Sequence, residues 1–121
     1  MLKWGITLLL FPLGIAIANQ QPSTFREIIC KDLNKRISCG PGEQINILNA
    51  NYGSMGRSQC SFSNAPSAAC QTAGTYELVK SKCDGQQSCD LLAADQEFGD
   101  HCPADDKYLD VNYGCAAGKN I

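Results

Sequence analysis

"FGDHCPADDKYLDVNYGC", residues 98–115, carries four aspartates, one histidine, one lysine and two cysteines, and ends in an alternating run. From Lys107 the alternation has the period of a strand, with Leu109, Val111 and Tyr113 on one side and Tyr108, Asp110 and Asn112 on the other. The acids ahead of that strand admit four uses: a metal loop, a catalytic pair, a solvated surface, or the wall of a pocket that grips something uncharged. Each use implies a different protein.

The N-terminus is read as a signal peptide, residues 1–18. Lys3 supplies the positive start, "WGITLLLFPLGIAIA" is apolar, and Ala16-Ile17-Ala18 gives the small-x-small cleavage pattern, with Asn19 the fallback position. The run is shorter than the roughly 20 apolar residues of a membrane span. A secreted, extracellular chain without membrane insertion is therefore expected. Removing 18 of the 121 residues leaves 103, one domain's worth, and losing Lys3 takes the formal charge from −2 to −3. A mildly acidic chain with three scattered arginines lacks the basic face that nucleic acid or anionic membrane requires.

All eight cysteines follow the leader: Cys30, Cys39, Cys60, Cys70, Cys83, Cys89, Cys102 and Cys115. An even, dense set in a small secreted chain reads as four disulfides. Zinc is the competing use, but there is no Cys-x-x-Cys pair and His101 is the single histidine. Spacing alone leaves 105 pairings open.

Residues 19–29 are polar and are expected to form a frayed N-terminal segment. The domain spans 30–115 without linker or repeat, and 116–121 form a C-terminal tail. "EQINILNANYG" (43–53) alternates as a strand, with Ile45 and Ile47 on one face and Leu48 breaking toward the other. "GTYELVKSKC" (74–83) is the helix, with Tyr76, Val79 and Cys83 on one side, Glu77 early and Lys80 and Lys82 late. "SCDLLAA" (88–94) is a short strand, and "SFSNAPSAAC" (61–70) has loop composition. The fold class is α+β: a small disulfide-rich single domain of antiparallel strands with one main helix and long structured loops.

For metal, the adjacent Asp105 and Asp106 lack the alternating oxygens around a glycine that calcium loops present. A hydrolase needs two carboxylates fixed across a cleft, and no other catalytic signature accompanies these. Cys102 with His101 fails as a nucleophile pair because the cysteine is taken to be oxidised. Asp105 and Asp106 are read as solvated charges, and the chain as a non-enzyme without cofactor. Asp100 and Lys107 differ. Held near a bridged Cys102, a carboxylate and an ammonium suit a neutral polyol, one accepting from hydroxyls and the other donating to them.

"NANYG", "FGDHC" and "KYLDVNYGC" resemble the galactose/rhamnose-binding lectin domain of the sea urchin egg lectin type, also found in latrophilin ectodomains. The family pattern runs A-N-Y-G-R, a cysteine, then F-G-D-P-C-P-G-T-x-K-Y-L-x-V-x-Y-x-C. Ala50-Asn51-Tyr52-Gly53, Phe98-Gly99-Asp100, Cys102-Pro103, Lys107-Tyr108-Leu109, Val111, Tyr113 and Cys115 match it. The resemblance covers Cys30 to Cys115 with all eight cysteines in register. It implies calcium-independent binding of L-rhamnose or D-galactose, and bridges Cys30–Cys60, Cys39–Cys115, Cys70–Cys102 and Cys83–Cys89. It also implies sugar contacts at Tyr52, as packing wall and hydroxyl partner, at Asp100 as acceptor, and at Lys107 as donor.

Lys31 stands where the family has glutamate after the first cysteine, and Asp95 where it has asparagine; both are placed on the rim of the same site. Asp32 follows Lys31 but, along an extended segment, faces the other way. Ser54 replaces the arginine of Y-G-R (Arg57 lies three residues on), His101 replaces proline, and Ala104-Asp105 replace glycine-threonine. The leading expectation is a secreted, metal-independent lectin whose partners are cell-surface or secreted galactosides and rhamnosides. The exchange at Lys31 motivates the alternative, a secreted protein-interaction module on the same scaffold. Eight internally paired cysteines leave only non-covalent homo-oligomers.

Overall fold

The computed structural model describes residues 23–54, 60, 69–102 and 107–118. The expected signal peptide and Pro103, Ala104, Asp105 and Asp106 lie outside them, as do Arg57 and most of the 61–70 loop. The strands are β1 (Ser23–Cys30), β2 (Asn34–Ser38), β3 (Glu43–Gly53), β4 (Ser88–Leu92) and β5 (Tyr108–Ala117). Two helices, α1 (Thr75–Cys83) and α2 (Asp95–Phe98), complete the elements. β5 lies between β1 and β3 in an antiparallel three-stranded sheet, while β2 and β4 form an antiparallel pair of their own. The fold is therefore α+β, and among the described residues no helix is long and apolar enough to cross a membrane.

β5 is central because its sequence tolerates burial on both sides. Leu109, Val111 and Tyr113 enter the core as the alternation requires, and Tyr108 is buried as well. α1 turns Thr75, Val79 and Cys83 inward, a stripe of one residue every four, and leaves Tyr76 half-buried at its edge. Ile29, Ile37, Ile45, Ile47 and Leu91 close the same core from the other strands.

The polar N-terminal segment departs from its expected frayed state. From Ser23 onward it is β1, paired with β5 from Ser23–Cys115 to Cys30–Tyr108. As an edge strand it needs little burial: Ile29 enters the core, Phe25 stacks on Tyr113 at 5.4 Å, and Arg26 makes two bonds to Asp110 across the ladder. β5 likewise runs two residues into the expected tail, pairing Ala117 with Glu43. β4 stops at Leu92, short of Ala93 and Ala94.

Two backbone features set the geometry near Tyr52. The pairing of β3 with β5 shifts register between Ile47 and Asn49, so Leu48 is an extra residue on the solvent side. Ile45 and Ile47 face inward before the bulge, and Ala50 and Tyr52 after it. Gly53 then takes φ 156°, with the carbonyl oxygen of Cys70 where a Cβ would sit. The bridges join Cys30 to Cys60, Cys39 to Cys115, Cys70 to Cys102 and Cys83 to Cys89, the pairs the resemblance implies.

The contact at Gly53 is backbone against backbone and cannot relax by a rotamer change. Gly53→Ala is expected to cost about 1–3 kcal/mol, the usual range for overpacking, measured as a lower denaturant midpoint at unchanged slope.

Candidate functional site

Lys107 ends the loop before β5, and its side chain is 2 % exposed. Its Nζ donates to Asp95 Oδ1 and to Asp100 Oδ1, each at 2.8 Å, and sits 5.6 Å from the centre of the Tyr52 ring. Burial alone would lower the Lys107 pKa, but the hydrogen bonds to Asp100 and Asp95 outweigh it and the value is raised. The ammonium is thus held charged.

Asp95 is the first residue of α2, on which the backbone turns after the buried Ala93 and Ala94. Its Oδ1 accepts from both Lys107 and the Tyr52 hydroxyl, the latter at 2.7 Å. Those two bonds, Lys107 first, hold its carboxyl below the usual range. Lys31 approaches the other oxygen at 3.8 Å. Two cations thus flank one carboxylate, for a backbone reason: the Lys31 N–H donates to the Lys107 carbonyl at 3.1 Å, extending the β1–β5 ladder by one step.

Asp100 follows Gly99, which ends α2 at φ 97° and whose missing Cβ leaves room for the His101 ring. Its side chain is 69 % exposed, so apart from the bond to Lys107 the carboxylate faces water.

The five residues expected at the site converge, but at different depths. Asp100 is outermost, and Asp95 and Lys31 are 29 % and 25 % exposed. Lys107 lies beneath them. Tyr52 is wholly buried, its ring against Phe98 at 5.2 Å, and it reaches the site through its hydroxyl on Asp95. Burial, then the bond to Asp95, pushes its hydroxyl pKa well above the ordinary value. Lys31 and Asp32 also differ from the extended segment expected. They form a turn, with Asp32 at φ 68° and its N–H on the Ala93 carbonyl. The Asp32 charge adds to the upward shift of Tyr52, so this carboxylate lies within electrostatic reach of the site.

Phe98 was missed by sequence reasoning as a supporting residue; its place beside Gly99-Asp100 was the available signal. Among the described residues, Cys39, Glu43 and Cys115 alone group as metal ligands would. The two sulfurs form a disulfide, so neither is a thiolate.

A family model described as "D-galactoside/L-rhamnose binding SUEL lectin domain" matches residues 37–115. The chain belongs to this family. It is 35 % identical over 96 residues to the D-galactoside-specific lectin of Heliocidaris crassispina, covering 75 % of this chain and 90 % of that protein. Identity to Latrophilin Cirl of Drosophila mojavensis is 36 % over 101 residues, 82 % of this chain but 6 % of that protein. Identity to the L-rhamnose-binding lectin CSL1 of Oncorhynchus keta is 36 % over 93 residues, 75 % of this chain and 32 % of that protein. This SUEL domain thus spans nearly all of one relative and a small fraction of another.

Because Asp95 is held below its unfolded value, its contribution to stability is present above about pH 4 and is lost as pH falls through the folded pKa. The raised Lys107 works oppositely, contributing fully below about pH 10.4 and losing it above the folded value. Tyr52→Phe is expected to cost about 1 kcal/mol and to move the Asp95 carboxyl resonance to a higher titration midpoint by NMR.

Proposed function

We propose that this SUEL domain is a secreted, extracellular lectin that binds galactose- or L-rhamnose-like glycans without a metal ion and without catalysis. The observation that carries the reading is the Lys107 ammonium fixed between two carboxylates, one of them open to water. Free galactosides and rhamnosides are polyols with no charge to neutralise. A pre-paired cluster meets them with acceptors at Asp100 and Asp95 and a donor at Lys31, while the buried Lys107 holds both carboxylates in place. Tyr52 keeps Asp95 in place and does not touch the sugar. The names of the lectin relatives in Heliocidaris crassispina and Oncorhynchus keta support this ligand class.

A second reading is a protein-interaction module on the same scaffold. It is favoured by the likeness to Latrophilin Cirl and by Lys31, whose ammonium offers a docking charge at the rim.

Calorimetric titration of the oxidised chain with D-galactose, L-rhamnose and D-glucose, with and without a chelator, separates the two. Saturable binding of the first two sugars, unchanged by chelator, is the expected result. No heat from any sugar at millimolar concentration removes the lectin reading and leaves the module. Asp100→Asn takes the charge from the most exposed acceptor. It is expected to weaken sugar binding about tenfold or more, as loss of a charged hydrogen-bond partner of about 1.5–3 kcal/mol implies.

A further inference from the structure

Asn49 and Asn51 leave β3 on the side opposite Ala50 and Tyr52, and Asp110 of β5 stands in register with Asn51. Between this face, the 71–74 segment and the first turn of α1 lies an open cavity of about 360 Å³, walled by Asn49, Asn51, Gln71, Tyr76 and Glu77 with Asp110. Small-molecule sites occupy roughly 300–1,000 Å³.

The walls are tied together. Asn51 Oδ1 accepts the Thr72 N–H at 3.1 Å, the Thr75 hydroxyl donates to the Thr72 carbonyl at 2.7 Å, and the Tyr52 N–H donates to that hydroxyl at 3.3 Å. The 72–75 segment is therefore fastened to β3 along the floor of the cavity.

Its chemistry is selective. No lysine or arginine is among the lining residues, so phosphate, sulfate and carboxylate ligands find no counter-charge. No aliphatic side chain larger than alanine lines it either, so an apolar ligand gains little. Asp110 is already paired with Arg26, which leaves Glu77 as the one other carboxylate, a low charge count for a divalent cation. What the walls do offer is the amide of exposed Asn49, the Glu77 carboxylate as acceptor and the ring and hydroxyl of half-buried Tyr76. That set fits a molecule with many hydroxyls and a C–H face.

We propose that this cavity is a second saccharide site, taking one neutral hexose or 6-deoxyhexose unit, separate from the Lys107 cluster. Successive residues of one strand then serve two sites, Tyr52 supporting the first and Asn51 framing the second. A single domain carries two attachment points and cross-links glycans as a monomer.

The test is an NMR titration of the ¹⁵N-labelled oxidised chain with D-galactose, L-rhamnose and D-glucose. Two groups of amides are expected to shift with independent saturation, one around Asp95, Asp100 and Lys107, the other across 49–51 and 71–77. Asn49→Ala combined with Glu77→Gln changes exposed side chains and is expected to weaken the second group's binding at least fivefold while leaving the first unchanged. Asp100→Asn does the reverse. The proposal is overturned if residues 49–51 and 71–77 stay still at ten times the concentration that saturates the first group. It is also overturned if they keep their affinity in the double variant. Shifts confined to the cavity leave the second site standing and remove the Lys107 lectin reading; no shifts anywhere remove both.

Discussion

The Lys107 ammonium is nearly closed off from water, and the loops around it are arranged to answer that charge. A buried cation without partners would shed its proton or move outward. Here α2 brings Asp95 to it, the turn after Gly99 brings Asp100, and Tyr52 fixes Asp95 from below. Removing one carboxylate leaves the other to neutralise the ammonium; removing the lysine leaves two acids and a tyrosine hydroxyl facing one another. The lysine is thus the member on which the cluster depends. That makes the cluster a structural centre as well as a candidate binding site.

Covalent bonds carry much of the burden around this centre, because the core is small. Lys31 follows Cys30, which is bridged to Cys60, and Asp100 lies two positions before Cys102, which is bridged to Cys70 beside the end of β3. The bridges span separations of 30, 76, 32 and 6 residues. In the chain-entropy view a closed loop of 15 to 100 residues removes about 3–5 kcal/mol of unfolded-state freedom. The bridges at Cys30, Cys70 and Cys102 therefore add to the stability of the segments that carry Lys31 and Asp100, which have little hydrophobic layer of their own.

How much of this was legible depended on how each segment is buried. β3, β5 and α1 each bury a regular face, and the periods at Ile45-Ile47, at Leu109-Val111-Tyr113 and at Val79-Cys83 announced them. β1 is an edge strand whose first half faces water, so polarity masked it. α2 spans four residues, too few to display a period. Asp100 and Lys107 stood out by their chemistry and the other site residues by a resemblance in motif, and both name positions but not depths. The burial of Tyr52 depends on the bulge before it, and the turn at Asp32 on a left-handed backbone angle at a residue other than glycine. Neither is written in alternation alone.

The extra residue at Leu48 acts as a phase shifter. Strict alternation from Ile45 and Ile47 would carry Asn49 and Asn51 into the interior and turn Ala50 and Tyr52 out to solvent. One inserted position reverses that, placing the aromatic beneath the acids and the amides on the far face. Side-chain replacements along β3 can accumulate gradually under such an arrangement, whereas a change of length by one residue exchanges inside for outside in a single step. Divergence of this strand is therefore expected to be tolerant in spelling and strict in count.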